Sequence, residues 1–244
     1  MKHIPNTITL CNLAVGFLAV IMAFENQLLF AGILILISAV LDFMDGFLAK
    51  LLNAVSEMGK QLDSLADIIS FGMAPAVLVY KLLEFIFRQS EGISGITDAS
   101  LPIRFLLLSP LLLLLCAAIR LAVFNIRENS KGFTGLATPA SAIFFAGITL
   151  TVLRNPESDF TFFIMRTIPM VSCLIIISLL MIIPLPMFSL KFSDFKWKGN
   201  GIRYVFLTVS GILLIILHEI ALPVIISVYL LLSIIQKLTS AVLK

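Results

Sequence analysis

Long apolar runs, each close to 20 residues and separated by short polar patches, recur along the whole chain. A helix of about 20 apolar residues spans the hydrocarbon core of a bilayer, and only helices or closed barrels satisfy their backbone hydrogen bonds there. The chain is 60% hydrophobic and only 13% charged, unlike ordinary soluble domains. These features predict an all-α, polytopic membrane helical bundle.

The hydropathy pattern predicts about eight transmembrane helices. Their expected ranges are 8–24, 28–52, 65–87, 104–124, 138–153, 162–183, 203–217 and 221–238. The division between the last two depends on a tight turn marked by His218, Glu219 and Pro223. We expect a membrane core over residues 1–183, a basic loop over 184–202 and a C-terminal helical hairpin over 203–244.

The distribution of positive charge predicts the orientation. With eight spans, twelve of the 17 Lys and Arg residues fall on the side of the N-terminus and four fall on the other side. Because cytoplasmic loops are enriched in Lys and Arg, we expect a cytoplasmic N-terminus in the cell membrane. The net charge of +3 concentrates in these loops, which suits an anionic lipid surface better than nucleic acid and also fits ordinary topology.

Four aspartates lie next to the ends of two apolar segments, where an unpaired charge is costly. They belong to the pattern Asp42-x-x-Asp45-Gly46-x-x-Ala49-Lys50-(eight residues)-Gly59-x-x-x-Asp63-x-x-x-Asp67. Aspartates three or four residues apart project from one face of a helix. If the polar stretch between the two segments turns the chain back, an antiparallel helical hairpin brings all four carboxylates together.

Four neighbouring carboxylates repel one another unless a cation lies between them. Mg²⁺ and Mn²⁺ prefer oxygen ligands and usually leave positions for phosphate oxygens and water. The pattern therefore predicts a divalent metal site, which two ions could share. Gly46 and Gly59 suit either the approach of a bulky ligand or close helix packing, and the sequence leaves both open.

The same pattern resembles the signature of the CDP-alcohol phosphotransferase family, D-x-x-D-G-x-x-A-R-x8-G-x-x-x-D-x-x-x-D. Every fixed position matches except one, where Lys50 stands in place of arginine. The positive charge is kept, but the bidentate guanidinium fork is lost. The resemblance implies a core of six transmembrane helices and an enzyme in which an alcohol hydroxyl attacks the lipid-bearing phosphorus of a CDP-linked lipid and CMP leaves.

The resemblance also implies roles for individual residues. Asp42, Asp45, Asp63 and Asp67 would bind two divalent cations, Mg²⁺ or Mn²⁺, and Asp67 would also be the general base that takes the hydroxyl proton. The residues expected around the nucleotide and its phosphates are Asn6, Thr9, Gly46, Ala49, Lys50 and Gly59. Asn6 and Thr9 equally suit capping positions of the first helix.

Two further segments are similar to the branch of the family that accepts serine. The first is P-N-x-x-T-x-x-N-x-x-x-G at residues 5–16, in which Thr9, Asn12 and Gly16 share one helical face. The second is S-F-G-x-A-P-A at residues 70–76. In this segment a proline is expected to kink the third helix, and Ser70 could satisfy a backbone group that the kink frees.

The acceptor site is expected between the fourth and fifth spans. Residues 120–125 and 133–140 resemble R-L-A-x-F-N and F-x-G-L-P-x-P-A of the same branch, with Ala137 replacing the first proline. An acceptor with a carboxylate needs cationic and amide donors near its hydroxyl. The residues that meet this criterion are Arg120, Asn125, Arg127 and Lys131. The last two fit positive-inside topology equally well.

Taken with these matches, the resemblance implies transfer of a phosphatidyl group from CDP-diacylglycerol to L-serine by a membrane-embedded homodimer. Glycerol 3-phosphate, an inositol phosphate and a lipid alcohol are alternative acceptors, although a phosphorylated acceptor would favour more clustered Arg and Lys than residues 120–131 contain. A cation transporter or channel is the non-enzymatic alternative. It predicts carboxylates spread across the bilayer depth, whereas all four are expected on one side.

Overall fold

The computed structural model describes residues 3–93, 95–126, 133–187 and 200–242, which are almost wholly helical. The α-helices in chain order are α1 (Ile4–Phe24), α2 (Leu28–Leu51), α3 (Glu57–Asp67), α4 (Ala74–Glu91), α5 (Leu101–Leu108), α6 (Leu111–Ile126), α7 (Thr138–Arg154), α8 (Asp159–Ile164), α9 (Thr167–Ile182), α10 (Gly201–Leu217) and α11 (Ala221–Val242). A π-helical segment, Ile68–Met73, joins α3 to α4, and a 3₁₀ turn, His218–Ile220, joins α10 to α11.

Five helical stretches are long and apolar enough to cross a membrane. They cover Ile4–Phe24, Leu28–Leu51, Glu57–Glu91, Leu101–Ile126 and Gly201–Gln236. The shorter apolar helices α7 and α9 join them in the bundle. Because the 3₁₀ turn divides the last stretch in two, every one of the eight expected spans coincides with a helical segment. The prediction of an integral membrane helical bundle is therefore confirmed.

The third span begins earlier than the hydropathy pattern indicated. It was expected from residue 65, whereas α3 begins at Glu57. Ser56 caps this helix, because its hydroxyl accepts a hydrogen bond from the Gly59 N–H at 3.0 Å. A capped first turn stabilises helix in a stretch that is too polar for the bilayer core. Both aspartates of the second pair, Asp63 and Asp67, consequently lie in a regular helix.

The expected kink region contains the π-helical segment, directly before Pro75. Pro75 lies in the first turn of α4, where its missing N–H is tolerated, and a π-helical turn widens the helix just before it. The Ser70 hydroxyl in this segment donates to the carbonyl of Asn12 in α1 at 3.1 Å. Ser70 thus links two helices, and the expected local role for its hydroxyl was wrong.

Helix α7 lies at the centre of the bundle. Most of its residues are buried, and it packs against α2, α4 and α11. Phe145 is among the largest fully buried side chains, together with Phe71 of the π-helical segment and Leu174 of α9. Helix α10 lies at the periphery, with Phe206 its one buried residue within the described part of the chain. Exposed apolar side chains on such outer helices suit contact with lipid.

A short antiparallel pair connects the chain before α7 to the chain after α9. Phe133–Thr134 pairs with Pro186–Met187, and the Gly135 N–H donates to the Leu185 carbonyl at 2.8 Å. Gly135 has a φ of +77°, and a Cβ at this position would lie 2.5 Å from the Met181 carbonyl oxygen. Only glycine fits here, which explains the fixed glycine of this segment in physical terms.

The backbones of α1 and the π-helical segment pack directly against each other at Gly16. A Cβ at Gly16 would lie 2.8 Å from Ser70 Cα, so the two backbones would have to separate to accept it. We expect Gly16→Ala to lower the free energy of unfolding by about 1–3 kcal/mol, measured by thermal unfolding in detergent. Gly211→Ala in α10 is the control, since no described atom lies within 4 Å of the added carbon. Equal transition temperatures for the two variants would contradict this contact.

Candidate active site and metal centre

A polar cavity of about 260 Å³ opens at the end of the bundle where α1 begins, α2 ends and α3 begins. Its lining residues are Pro5, Asn6, Thr9, Asp42, Asp45, Gly46, Ala49, Lys50, Ala54, Val55, Ser56, Gly59, Lys60 and Asp63. The lining includes all six residues expected around the nucleotide and three of the four aspartates. Residues from a 22-residue stretch, 42–63, and residues 5–9 near the N-terminus therefore meet in one place.

Three aspartates form a carboxylate cluster, named the Asp trio: Asp42 of α2 with Asp63 and Asp67 of α3. One carboxylate oxygen from each lies within 4.8 Å of the others. Asp67 is 7% exposed, whereas the other two are partly exposed at the cavity. Asp42 is at least 21 residues from the other two in sequence, and the helical hairpin of α2 and α3 brings it close to them.

The Asp trio needs positive charge. Carboxylates at this separation repel one another strongly where water is scarce. Arg120 of α6 attracts Asp67 electrostatically. Lys50 and Lys60 line the cavity beside the other two members of the Asp trio. Asp67 Oδ1 is buried and has no hydrogen-bond partner among the described residues. Since carboxylate oxygens are the preferred ligands of hard divalent cations, these residues fit a divalent metal ion.

Asp45 lies in the same cavity but is held by α1. Its Oδ2 accepts a hydrogen bond of 2.6 Å from the Thr9 hydroxyl, which also lies 3.1 Å from the Pro5 carbonyl oxygen. Asp45 is 5% exposed and Thr9 is 4% exposed. A buried hydrogen bond to a carboxylate fixes its orientation. Thr9, expected beside the nucleotide, therefore has a structural contact with a metal-ligand candidate.

The two motif glycines serve different purposes. A Cβ at Gly59 would lie 2.8 Å from Asn6 Oδ1, so this glycine allows α1 to approach α3. No described atom lies within 4 Å of a Cβ placed on Gly46, so this glycine leaves the cavity wall open. Asn6 and Thr9 both lie inside α1, whose N-cap residue is His3. The capping interpretation of both residues was therefore wrong.

Two of the four residues expected at the acceptor site, Arg120 and Asn125, lie in the described part of the chain. Arg120 is partly buried and attracts Asp67 electrostatically. The Asn125 side chain donates through Nδ2 to Ser64 Oγ at 2.8 Å, next to Asp63 in sequence. Arg127 and Lys131 lie outside the described residues. Of the two described residues, Arg120 is the one that interacts with Asp67, the carboxylate that was expected to act as the base.

One contribution to this region was not apparent in the sequence. Tyr229 of α11 interacts electrostatically with Arg120. Helix α11 is held against α7, where a Cβ on Gly147 would lie 2.7 Å from Pro223 Cδ, and Arg154 forms an ion pair of 2.6 Å with Glu219. Such tertiary docking has no local sequence signal, so the C-terminal hairpin could not be linked to the site beforehand.

Helix α2 presents apolar aromatic side chains to the outside of the bundle beside the cavity. Phe43 is 72% exposed and Phe47 is 56% exposed. Their rings stack with centroids 6.4 Å apart. These two residues, named the Phe43–Phe47 face, alternate in sequence with the metal-ligand candidates Asp42 and Asp45. One helix therefore carries a surface suited to lipid and a surface suited to a charged head group.

Comparison with known proteins identifies relatives over most of the chain. A sequence model of the family described as CDP-alcohol phosphatidyltransferase matches residues 2–238. The chain is 34% identical over 154 residues to a CDP-diacylglycerol–serine O-phosphatidyltransferase of Bacillus subtilis, covering 63% of this chain and 76% of that protein. It is 31% identical over 153 residues to an archaetidylserine synthase of Methanothermobacter thermautotrophicus, covering 61% of this chain and 58% of that protein.

A second archaeal relative gives a similar result. The chain is 34% identical over 144 residues to a CDP-diacylglycerol–serine O-phosphatidyltransferase of Methanocaldococcus jannaschii, covering 59% of this chain and 59% of that protein. The match to the two archaeal proteins therefore spans less than two thirds of their lengths, whereas the family model extends over almost all of this chain.

Proposed function

Since the chain belongs to the CDP-alcohol phosphatidyltransferase family, we propose that it transfers a phosphatidyl group from CDP-diacylglycerol to the hydroxyl of L-serine, giving phosphatidylserine and CMP. The observation that carries the proposal is the Asp trio, of which Asp42 and Asp63 line a cavity that also contains Lys50 and the open position at Gly46. The names of the bacterial and archaeal relatives support serine as the acceptor.

The cavity suits the CDP head group of the donor lipid. Lys50 provides positive charge for a phosphate as a point charge. Gly46 leaves space along α2, and Asn6 provides an amide at the opposite wall. The Phe43–Phe47 face lies beside this cavity, so the acyl chains can remain in the bilayer while the head group enters.

The Asp trio and Asp45 would hold divalent cations. Four carboxylates and a pyrophosphate carry more negative charge than one divalent ion neutralises, which supports two ions, either Mg²⁺ or Mn²⁺. A bound divalent cation neutralises the pyrophosphate and stabilises the departing CMP. The chain itself contributes the fixed orientation of these ligands, because Thr9 holds Asp45 and the helical hairpin holds the Asp trio.

Asp67 acts as the general base of the transfer. Its carboxylate takes the proton of the serine hydroxyl as the serine oxygen forms a bond with the lipid-bearing phosphorus. The bond from that phosphorus to the oxygen of the CMP phosphate breaks, and CMP leaves with that oxygen. Asp67 is buried in the bundle, which limits the access of water as a competing nucleophile.

The orientation and assembly are also part of the proposal. The cavity faces the cytoplasm, where CDP-linked lipid head groups and free serine meet; the excess of Lys and Arg on the side of the N-terminus supports this. A homodimer is supported by the family resemblance. The mass of the purified protein in detergent, corrected for bound detergent, tests it. The location of all four aspartates at one end of the bundle argues against a cation path through the membrane.

The test of the proposed function is an acceptor panel. Purified protein is given CDP-diacylglycerol in mixed micelles, with Mg²⁺ or Mn²⁺, and CMP release is followed with L-serine, glycerol 3-phosphate, an inositol phosphate and a lipid alcohol. We expect kcat/KM for L-serine to exceed that for the other acceptors by about 100-fold, because a site built for one polar group rejects analogues that leave it unpaired. Release of CMP with an inositol phosphate but not with serine would contradict the proposed acceptor.

A further inference from the structure

Asn12 of α1 is a fully buried amide that none of the roles above uses. It is 0% exposed, and neither its Nδ2 nor its Oδ1 has a hydrogen-bond partner among the described residues. Buried polar atoms are almost always paired, because an unpaired donor or acceptor is destabilising. An amide with both ends unpaired, beside a candidate active site, indicates a ligand that is polar at two points.

Contacts on both sides of Asn12 fix its depth in the bundle. Toward α2, Thr9 bonds to Asp45, and because these helices run in opposite directions, Asn12 lies at the level of Asp42. Toward the π-helical segment that continues α3, Gly16 lies against Ser70, and the Ser70 hydroxyl donates to the Asn12 carbonyl. Asn12 shares a face with Thr9 and Gly16. Its side chain therefore faces the space between α2 and α3, beside the Asp trio.

Arg120 of α6 reaches a similar depth, because α6 also packs against the π-helical segment. Asn125 bonds to Ser64, and a Cβ on Gly72 would lie 3.4 Å from Ala117 Cβ. Because α6 runs antiparallel to this part of the chain, the two contacts place Arg120 level with residue 69. Its Nε is buried and has no hydrogen-bond partner in the described part of the chain. Among the described residues, three polar side chains thus have unpartnered buried atoms near one level: Asn12, Asp67 through Oδ1, and Arg120 through Nε.

The cavity ends close to this level. Its lining includes Thr9 and Asp63, which lie about one helical turn from Asn12 and Asp67, respectively. The polar layer formed by Asn12, Asp67 and Arg120 therefore lies directly beneath the cavity that is proposed to hold the CDP head group. A small molecule bound in this layer has its reactive atom near both Asp67 and the donor phosphate.

We propose that Asn12 and Arg120 together recognise the amino-acid end of the acceptor, and that Asn12 makes the site selective for a zwitterion. This inference rests on the proposed function. Arg120 binds the acceptor carboxylate, and Asn12 Nδ2 adds a second donor to it, while Oδ1 accepts from the ammonium group. The serine hydroxyl is on the carbon next to the one that carries the ammonium and carboxylate groups, and it then lies at Asp67. A phosphorylated acceptor has no ammonium group to donate to Oδ1, so it cannot make this charge-assisted hydrogen bond.

The test compares Asn12→Leu and Asn12→Asp with wild type in the CMP-release assay. We expect Asn12→Leu to raise KM for L-serine by about 10- to 100-fold, with KM for CDP-diacylglycerol changed by less than about twofold. Discrimination between serine and 3-hydroxypropanoate, which lacks the ammonium group, should fall by a similar factor. Asn12→Asp keeps an acceptor for the ammonium group but places a negative charge at the carboxylate, so its KM for serine should rise as well.

A control separates binding from folding. Ser178 of α9 is also 0% exposed with an unpartnered hydroxyl, so Ser178→Ala should leave both KM values unchanged. A structural role for Asn12 would lower the transition temperature of ligand-free Asn12→Leu, whereas removal of an unpaired amide should not. An unchanged KM for serine in both Asn12 variants, with active wild type, would overturn the inference and assign Asn12 to an internal water. Wild type that releases no CMP with serine would instead contradict the proposed function.

Discussion

Asp67→Asn is expected to reduce kcat by at least about 10²- to 10⁴-fold, the loss typical of removing a general base. The amide has nearly the same shape as the carboxylate but cannot take the hydroxyl proton. Binding of CDP should be retained in part, because Asp67 is buried in the polar layer beneath the cavity and is absent from the cavity lining. The measurements are kcat by CMP release and CDP affinity by titration calorimetry on the purified protein.

Asp98→Asn is the matched control for Asp67→Asn. Asp98 is an exposed aspartate in the connection between α4 and α5, remote from the cavity in sequence and in the fold. Its replacement should change neither kcat nor CDP affinity. If Asp67→Asn lost CDP affinity but kept normal turnover at saturating substrate, the base would have to be another group.

Asp42→Asn is expected to weaken Mn²⁺ binding by more than about 100-fold, since even residues that only support metal ligands contribute 10- to 100-fold to affinity. Asp42 is the sole member of the Asp trio from α2, so its loss opens the cluster on one side. Mn²⁺ binding to the lipid-free protein can be measured by electron paramagnetic resonance. Activity should fall in parallel and recover partly at high Mn²⁺ concentration.

Activity and metal binding must change together for this interpretation to hold. Asp98→Asn again provides the comparison, because it removes one carboxylate without touching the cavity. Lost activity with unchanged Mn²⁺ binding would show that the Asp trio is not the metal site. Weak Mn²⁺ binding with normal activity at low Mn²⁺ would show that the metal is dispensable.

The membrane bundle and the aspartate cluster were predictable because both depend on local spacing. Apolar runs near 20 residues define spans regardless of their neighbours, and aspartates three or four residues apart share a helical face. The start of α3 was less predictable, because the Ser56 cap outweighs the polarity of the stretch that follows. Hydropathy reports solvent preference, whereas helix boundaries depend on specific hydrogen bonds.

Contacts between segments far apart in the chain could not be predicted from the sequence. The bond from Thr9 to Asp45 joins residues 36 positions apart, and Ser70 finds its partner in α1. The sequence indicated that Asn12 shares a helical face with Thr9 and Gly16. That its side-chain amide has no hydrogen-bond partner among the described residues becomes apparent only in the folded structure. The link from α11 to Arg120 through Tyr229 depends on the docking of α11 against α7.

The Phe43–Phe47 face has a kinetic consequence. A lipid whose head group enters beside this face while its chains stay among the other lipids arrives by lateral diffusion and never crosses water. The relevant concentration of the donor is then its mole fraction in the membrane, whereas that of serine is its concentration in solution. Diluting the donor with inert phospholipid should slow the reaction even when the total amount of donor per volume is unchanged, and the composition of the bilayer would itself set the rate.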